Sequence, residues 1–299
     1  MQRPNRVSVA GLARLAPIGL GFAFGIFSVL TSTSSLKSAP LWPVWASLAV
    51  ALTTTAGAVF PYGLDRWAEL AELLKPQTVR VRDVATRVAA IAAVTMLVIS
   101  LGSLLLLGPP RSSWRSVALV TITLLGGLPA VVVMEGVRHA AGNEPAPGTR
   151  GEQVAVLVRL RQLLQRLLAA IGSLVALMTL ATGAWLAPRR SLLAGSGHDV
   201  TTKLPPQFVL VSGGLGSLLV ALFYVPAATA LQRRGQRLCD ELFPLDEADE
   251  RSAILSLAED RHKLEQLLGV DRGVIADLQT GLAILGPLLA SAAAALLSP

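Results

Sequence analysis

The chain is poorest in the residues that most membrane chemistry needs. It has one cysteine, Cys239, and three histidines, His139, His198 and His262. A single thiol excludes an intramolecular disulfide and any metal cluster built on several cysteines. None of the histidines falls in the long apolar runs described below, so neither a serine–histidine dyad within a membrane nor a haem held between helices can be assembled. Charge is sparse too, at 15% of 299 residues, against about 25% in an ordinary soluble domain. There is no Walker-type loop, no G-x-G-x-x-G on a strand-turn-helix pattern, and no carboxylate cluster suited to a metal. His198-Asp199 follows Gly195-Ser196-Gly197, yet a hydrolytic site would need a third partner and oxyanion donors, so the segment reads as a polar loop. The expectation is a protein with no catalytic residues, no cofactor and no metal, and hence not an enzyme.

What the chain has in abundance is long apolar sequence. Seven stretches of 19 residues or more carry no Asp, Glu, Lys or Arg: 15–36, 38–64, 88–110, 116–134, 167–188, 204–232 and 278–299. A hydrocarbon core roughly 30 Å thick is crossed by about 20 helical residues, and runs without a polar face do not suit a helix bathed in water. The pattern predicts an all-α, polytopic transmembrane helix bundle. Its seven spans cover about 15–33, 41–62, 88–108, 116–135, 167–187, 207–231 and 276–297, within one integral membrane domain over 1–299. The first run is somewhat long for a signal peptide and no A-x-A site clearly follows it, which favours a retained helix.

Orientation follows from the basic residues, which stay in cytoplasmic loops. With the N-terminus inside, 20 of the 26 Lys and Arg fall in inner segments and 6 outside, so the C-terminus is expected outside. Trp42, Trp45, Trp114 and Trp185 then gather near outer helix ends and Tyr62, Trp67 and Tyr224 towards inner ends, where headgroups favour such rings. The net charge of +7 reads as a face attracted to anionic lipid, and no basic, aromatic-interleaved stretch points to nucleic acid. An Arg- and Ala-rich composition with one reduced thiol fits a bacterial cytoplasmic (inner) membrane.

The soluble structure is expected on the inner side. Leu64, Trp67, Ala71 and Leu74 recur at helical spacing before Pro76, a surface-lying or packed connector. A flexible break at 142–148 precedes a helix that begins near Glu152 and runs straight into the fifth span. In 233–272 the sixth span continues to Leu242, Phe243-Pro244 interrupts it, and a second helix runs from about Glu247 to Leu268, with Asp246 as N-cap and Gly269 as C-cap. This predicts a cytoplasmic helical hairpin between spans six and seven. Its apolar stripe, Ile254, Leu257, Leu264 and Leu268, would pack on the protein's own inner helices, on a second copy, or on a cytoplasmic protein partner.

Two functions fit these features. The first is a membrane anchor or signalling component acting through its cytoplasmic face. The alternative is a pore or uncoupled transporter, whose path would follow helix breaks at Gly126, Gly127 and Pro129 in the fourth span and at Gly213, Gly214 and Pro226 in the sixth. Glycines also let membrane helices approach closely, and Gly21-x-x-x-Gly25 and Ser212-x-x-x-Gly216 read more simply as packing faces.

Overall fold

The computed structural model describes residues 7–32, 37–38, 41–73, 86, 88, 114–142, 148–195, 207–244 and 251–270. The expected spans at 88–108 (Val88 apart) and 276–297, the polar loop at His198 and the N-cap at Asp246 lie outside them. Among the described residues the chain forms six helices and no strand: α1 (Val7–Leu30), α2 (Trp42–Leu73), α3 (Trp114–Gly142), α4 (Arg150–Gly195), α5 (Gln207–Leu242) and α6 (Arg251–Leu268).

Four of these helices are long and apolar enough to cross a membrane, over Trp42–Leu73, Val117–Gly142, Arg150–Trp185 and Gly213–Leu242, and α1 adds a shorter apolar stretch, Leu15–Leu30. Only 39% of the most apolar window in each of the first three, and 28% in the fourth, is buried inside the protein. Most of that surface therefore faces outward, which water does not tolerate and lipid does. Leu20, Phe22 and Phe27 of α1 and Leu125 of α3 are among the exposed large side chains.

Small residues set how the helices approach. Gly21 and Gly25 of α1 lie against the α2 backbone at Thr53 and Val50, and Gly57 of α2 lies against Pro17, so α1 and α2 run antiparallel. Along α2, Ala56 meets Gly126, Gly63 meets Pro129 and Ala130, and Trp67 with Leu70 meets Gly136, so α2 and α3 run parallel. Gly213 and Gly216 of α5 face Thr179 and Val175 of α4 in antiparallel order. The shared core lies between α2, α3, α4 and α5, with Met134, Val137, Leu160, Leu164, Leu167 and Tyr224 at its centre.

The helix breaks expected in α3 and α5 are not seen. Both helices are continuous, α3 through Gly126, Gly127 and Pro129, and α5 through Gly213, Gly214 and Pro226. Proline removes one backbone donor and crowds the preceding turn, but neighbouring helices hold such a helix together in a membrane, and Pro129 is seated against Gly63, where a Cβ would lie only 2.8 Å from its own Cβ. Hydroxyls are likewise absorbed locally. Thr53, Thr123 and Thr179 donate to the carbonyls of Ala49, Leu119 and Val175 at 3.1, 2.7 and 2.9 Å, which satisfies them without a polar lumen.

Helices α2, α4 and α5 are all well over the roughly 20 residues that cross a hydrocarbon core. The expected connector after Leu64 is the uninterrupted end of the 32-residue α2, and α4 runs 46 residues. A reciprocal capping box starts α4: Glu152 N–H donates to Thr149 Oγ1 at 3.4 Å, and Thr149 N–H donates to Glu152 Oε2 at 2.9 Å.

Candidate functional site: the polar end of the bundle

The helix directions bring the C-terminal ends of α2, α3 and α5 and the N-terminal end of α4 to one end of the bundle, where α6 also packs. The charged side chains there form a network. Arg66 pairs with Glu69 and lies 4.8 Å over the Tyr62 ring. Glu135, buried on α3, is held by Arg138 at 3.1 Å. Arg150 pairs with Glu241 across α4 and α5. Arg261 of α6 joins Asp240 of α5 at 2.7 Å and its own Glu265 at 2.8 Å.

Two further arginines bind backbone carbonyls at helix ends. Arg234 of α5 donates to the Ala140 carbonyl of α3 at 2.7 Å, and Arg161 of α4 donates to the Leu268 carbonyl of α6 at 2.5 Å. A cation at a helix C-terminus satisfies a carbonyl that has no partner within the helix and meets the negative end of its dipole. Burial pulls the Arg234 guanidinium below its ordinary value, as desolvation does for any cation.

The end of α6 is itself shaped for this contact. Gly269 has φ 63°, its N–H donates to the Gln266 carbonyl at 3.0 Å and Val270 N–H donates to the Glu265 carbonyl at 2.9 Å, a Schellman termination. Gln232 of α5 then donates to the Val270 carbonyl at 3.2 Å. Beneath this turn is a cavity of about 40 Å³ lined by Arg161, Tyr224, Gln232, Leu268 and Gly269 among others, room for about two or three waters. The thiol of Cys239 is buried nearby. Burial first, then the negative charge of Glu265, push it above its ordinary value.

Of the three occupants open to the stripe, the protein's own helices take up part of it. Leu264 and Leu268 pack on the main core, and Leu257 is half-buried; the side chain of Ile254 lies outside the described set. The face of α6 that remains open carries Leu255 and Leu267. The expected permeation residues are divided between seams: Gly126 and Pro129 serve α2 against α3, Gly127 lies 3.7 Å, measured from an added Cβ, from Leu174 of α4, and Gly213 serves α5 against α4. Gly214 is exposed with open space around it, and Pro226 is half-buried. No group of three or more His, Cys, Asp or Glu converges among the described residues.

Sequence reading did not find Arg161, Gln232 or Arg234. Their partners are 107, 38 and 94 residues away and are backbone atoms, so no local pattern marks them. The capping box was legible as Thr149-x-x-Glu152. The sequence matches no family model, no curated protein and no solved structure.

Proposed function

We propose that the chain is a multi-pass membrane anchor or signalling component, not an enzyme, which crosses the bilayer seven times and acts through its cytoplasmic end. The observation that carries this reading is the one-sided polar network, in which α3, α4, α5 and α6 are tied together by arginines while α6 keeps an outward face. Parallel α2 and α3 support the seven-span count, because a chain leaving one end of the bundle at Leu73 must return to the other before α3 begins. The excess of Lys and Arg in the same segments supports a cytoplasmic location for that end, and the composition fits a bacterial cytoplasmic membrane.

In this reading α5 and α6 make the hairpin of 233–272, and its inward stripe clamps it to α4. A second copy or a cytoplasmic protein then meets the outward face at Leu255 and Leu267, which flank the exposed pair Glu259 and Lys263. Photo-crosslinking from Leu255 and Leu267 in the full-length chain, in its native membrane, tests it. Discrete adducts are expected from these two positions and not from the inward-facing Leu264. Absence of adducts from both outward positions overturns the partner role.

A further inference from the structure

The arginines of the polar end divide into two groups. Arg66, Arg138, Arg150, Arg161, Arg234 and Arg261 are each engaged by a carboxylate or a carbonyl of the protein. Arg159, Arg166, Arg233 and Arg237 are exposed and have no hydrogen bond or ion pair among the described residues. Exposed long cations are ordinarily just solvated, so their placement decides what they can meet.

For two of them that placement is specific. The outward ridge of α5 carries Leu218, Leu222 and Val225, exposed by 64, 51 and 37%, and faces lipid in the membrane-embedded reading. From Val225 the i, i+4 row continues through Thr229 to Arg233 and Arg237. Arg233 lies about 12 Å beyond Val225 along the helix, immediately after the charge-free run ends at Gln232. The Thr229 hydroxyl is turned back onto the Val225 carbonyl at 2.7 Å, so it does not compete for an anion. The acids that could neutralise the pair are engaged elsewhere: Asp240 by Arg261 and Glu241 by Arg150. Arg159 differs, because it shares a cleft with Glu69 and Glu72 of α2, and α4 from Ala170 to Trp185 is half-buried or buried rather than an open ridge.

We infer that Arg233 and Arg237 form a site for the phosphate of an anionic phospholipid whose acyl chains lie along Leu218, Leu222 and Val225. Arginine matches a phosphodiester with planar paired donors, and its aliphatic stem lets the charge reach headgroup level from an apolar surface. The site would fix the depth and rotation of α5, on which the α6 contacts depend. It rests on the membrane-embedded reading.

The test uses the full chain in nanodiscs of mixed phosphatidylcholine and phosphatidylglycerol, re-extracted in mild detergent, with retained lipid counted by native mass spectrometry. The wild type is expected to retain phosphatidylglycerol preferentially. Arg233→Gln with Arg237→Gln should cut that preference roughly tenfold or more, from about 1 kcal/mol for each basic residue near the surface. Arg159→Gln with Arg166→Gln removes the same charge and should leave the preference intact, and Arg233→Lys with Arg237→Lys should restore most of it. Equal loss from both glutamine pairs, or none from the first, overturns the site. Displacement of the lipid by millimolar inorganic phosphate overturns the lipid as its occupant. A chain stripped from native membranes by alkaline carbonate instead overturns the membrane-embedded reading, an outcome distinct from the other two.

Discussion

At the scale of single residues, glycine has two separate uses here. Gly126 is a spacer: a Cβ there would lie 2.6 Å from the Ala56 carbonyl oxygen and 2.8 Å from its Cα, and backbone cannot rotate away as a side-chain tip can. Gly126→Ala should separate α2 from α3 and destabilise the protein by about 1–3 kcal/mol. Gly214, exposed with nothing within 4 Å of its added Cβ, is the control, and Gly214→Ala should be neutral or stabilising by up to about 1 kcal/mol. Thermal unfolding in one detergent compares the two; equal effects would remove the spacer role. Sequence alone grouped both positions as helix breaks, because a glycine's neighbours across the seam are invisible to it. Gly269 was legible, since a glycine following the last apolar turn of a helix is a common terminator and its φ of 63° is one that other residues rarely adopt.

At the scale of elements, α6 is held by polar contacts at its end together with Leu264 and Leu268, and Cys239 reports whether it stays closed. The thiol is fully buried and its pKa lies above the ordinary value of 9.0, so the reactive thiolate is scarce at neutral pH. Maleimide labelling of the wild type should be slow and should speed up as pH rises towards the raised value. Leu268→Asp places a carboxylate in the core against α4 and α5 and should open α6, raising the labelling rate at pH 7 at least about tenfold. Unchanged labelling would mean that α6 does not cover the thiol. Because the folded state holds the thiol proton more tightly than the unfolded chain does, this group's contribution to stability is present below the ordinary thiol value and is lost as pH climbs through the folded one. The ends of α5 and α6 at Leu242 and Leu268 were legible from Phe243-Pro244 and Gly269. The docking of α6 was not, because Arg161 and Gln232 recognise carbonyls, which every residue carries.

At the scale of the whole molecule, the helical class was legible because seven charge-free runs leave no polar face, and four of those runs coincide with parts of helices long and apolar enough to cross a membrane. The path of the chain was less legible, since periodicity says nothing about which helices are neighbours. The parallel pairing of α2 and α3 now constrains it: the end of α2 at Leu73 and the end of α3 at Gly142 lie on one side, and the turn after α1, which holds Ser38, lies on the other. Single cysteines in a Cys239→Ala background put this to a direct test. Glu72→Cys and Gly142→Cys should react with a membrane-impermeant maleimide only in inside-out vesicles, and Ser38→Cys only in intact cells. All three sites are exposed, so each cysteine is reachable once its side of the bilayer is. If Glu72→Cys and Gly142→Cys label from opposite sides, the segment between α2 and α3 does not cross the membrane, and the seven-span topology fails with it. If all three label with both sides reversed, the pairing stands but the charge asymmetry points the other way. The arginines of α4 and α5 would then face away from the cytoplasm.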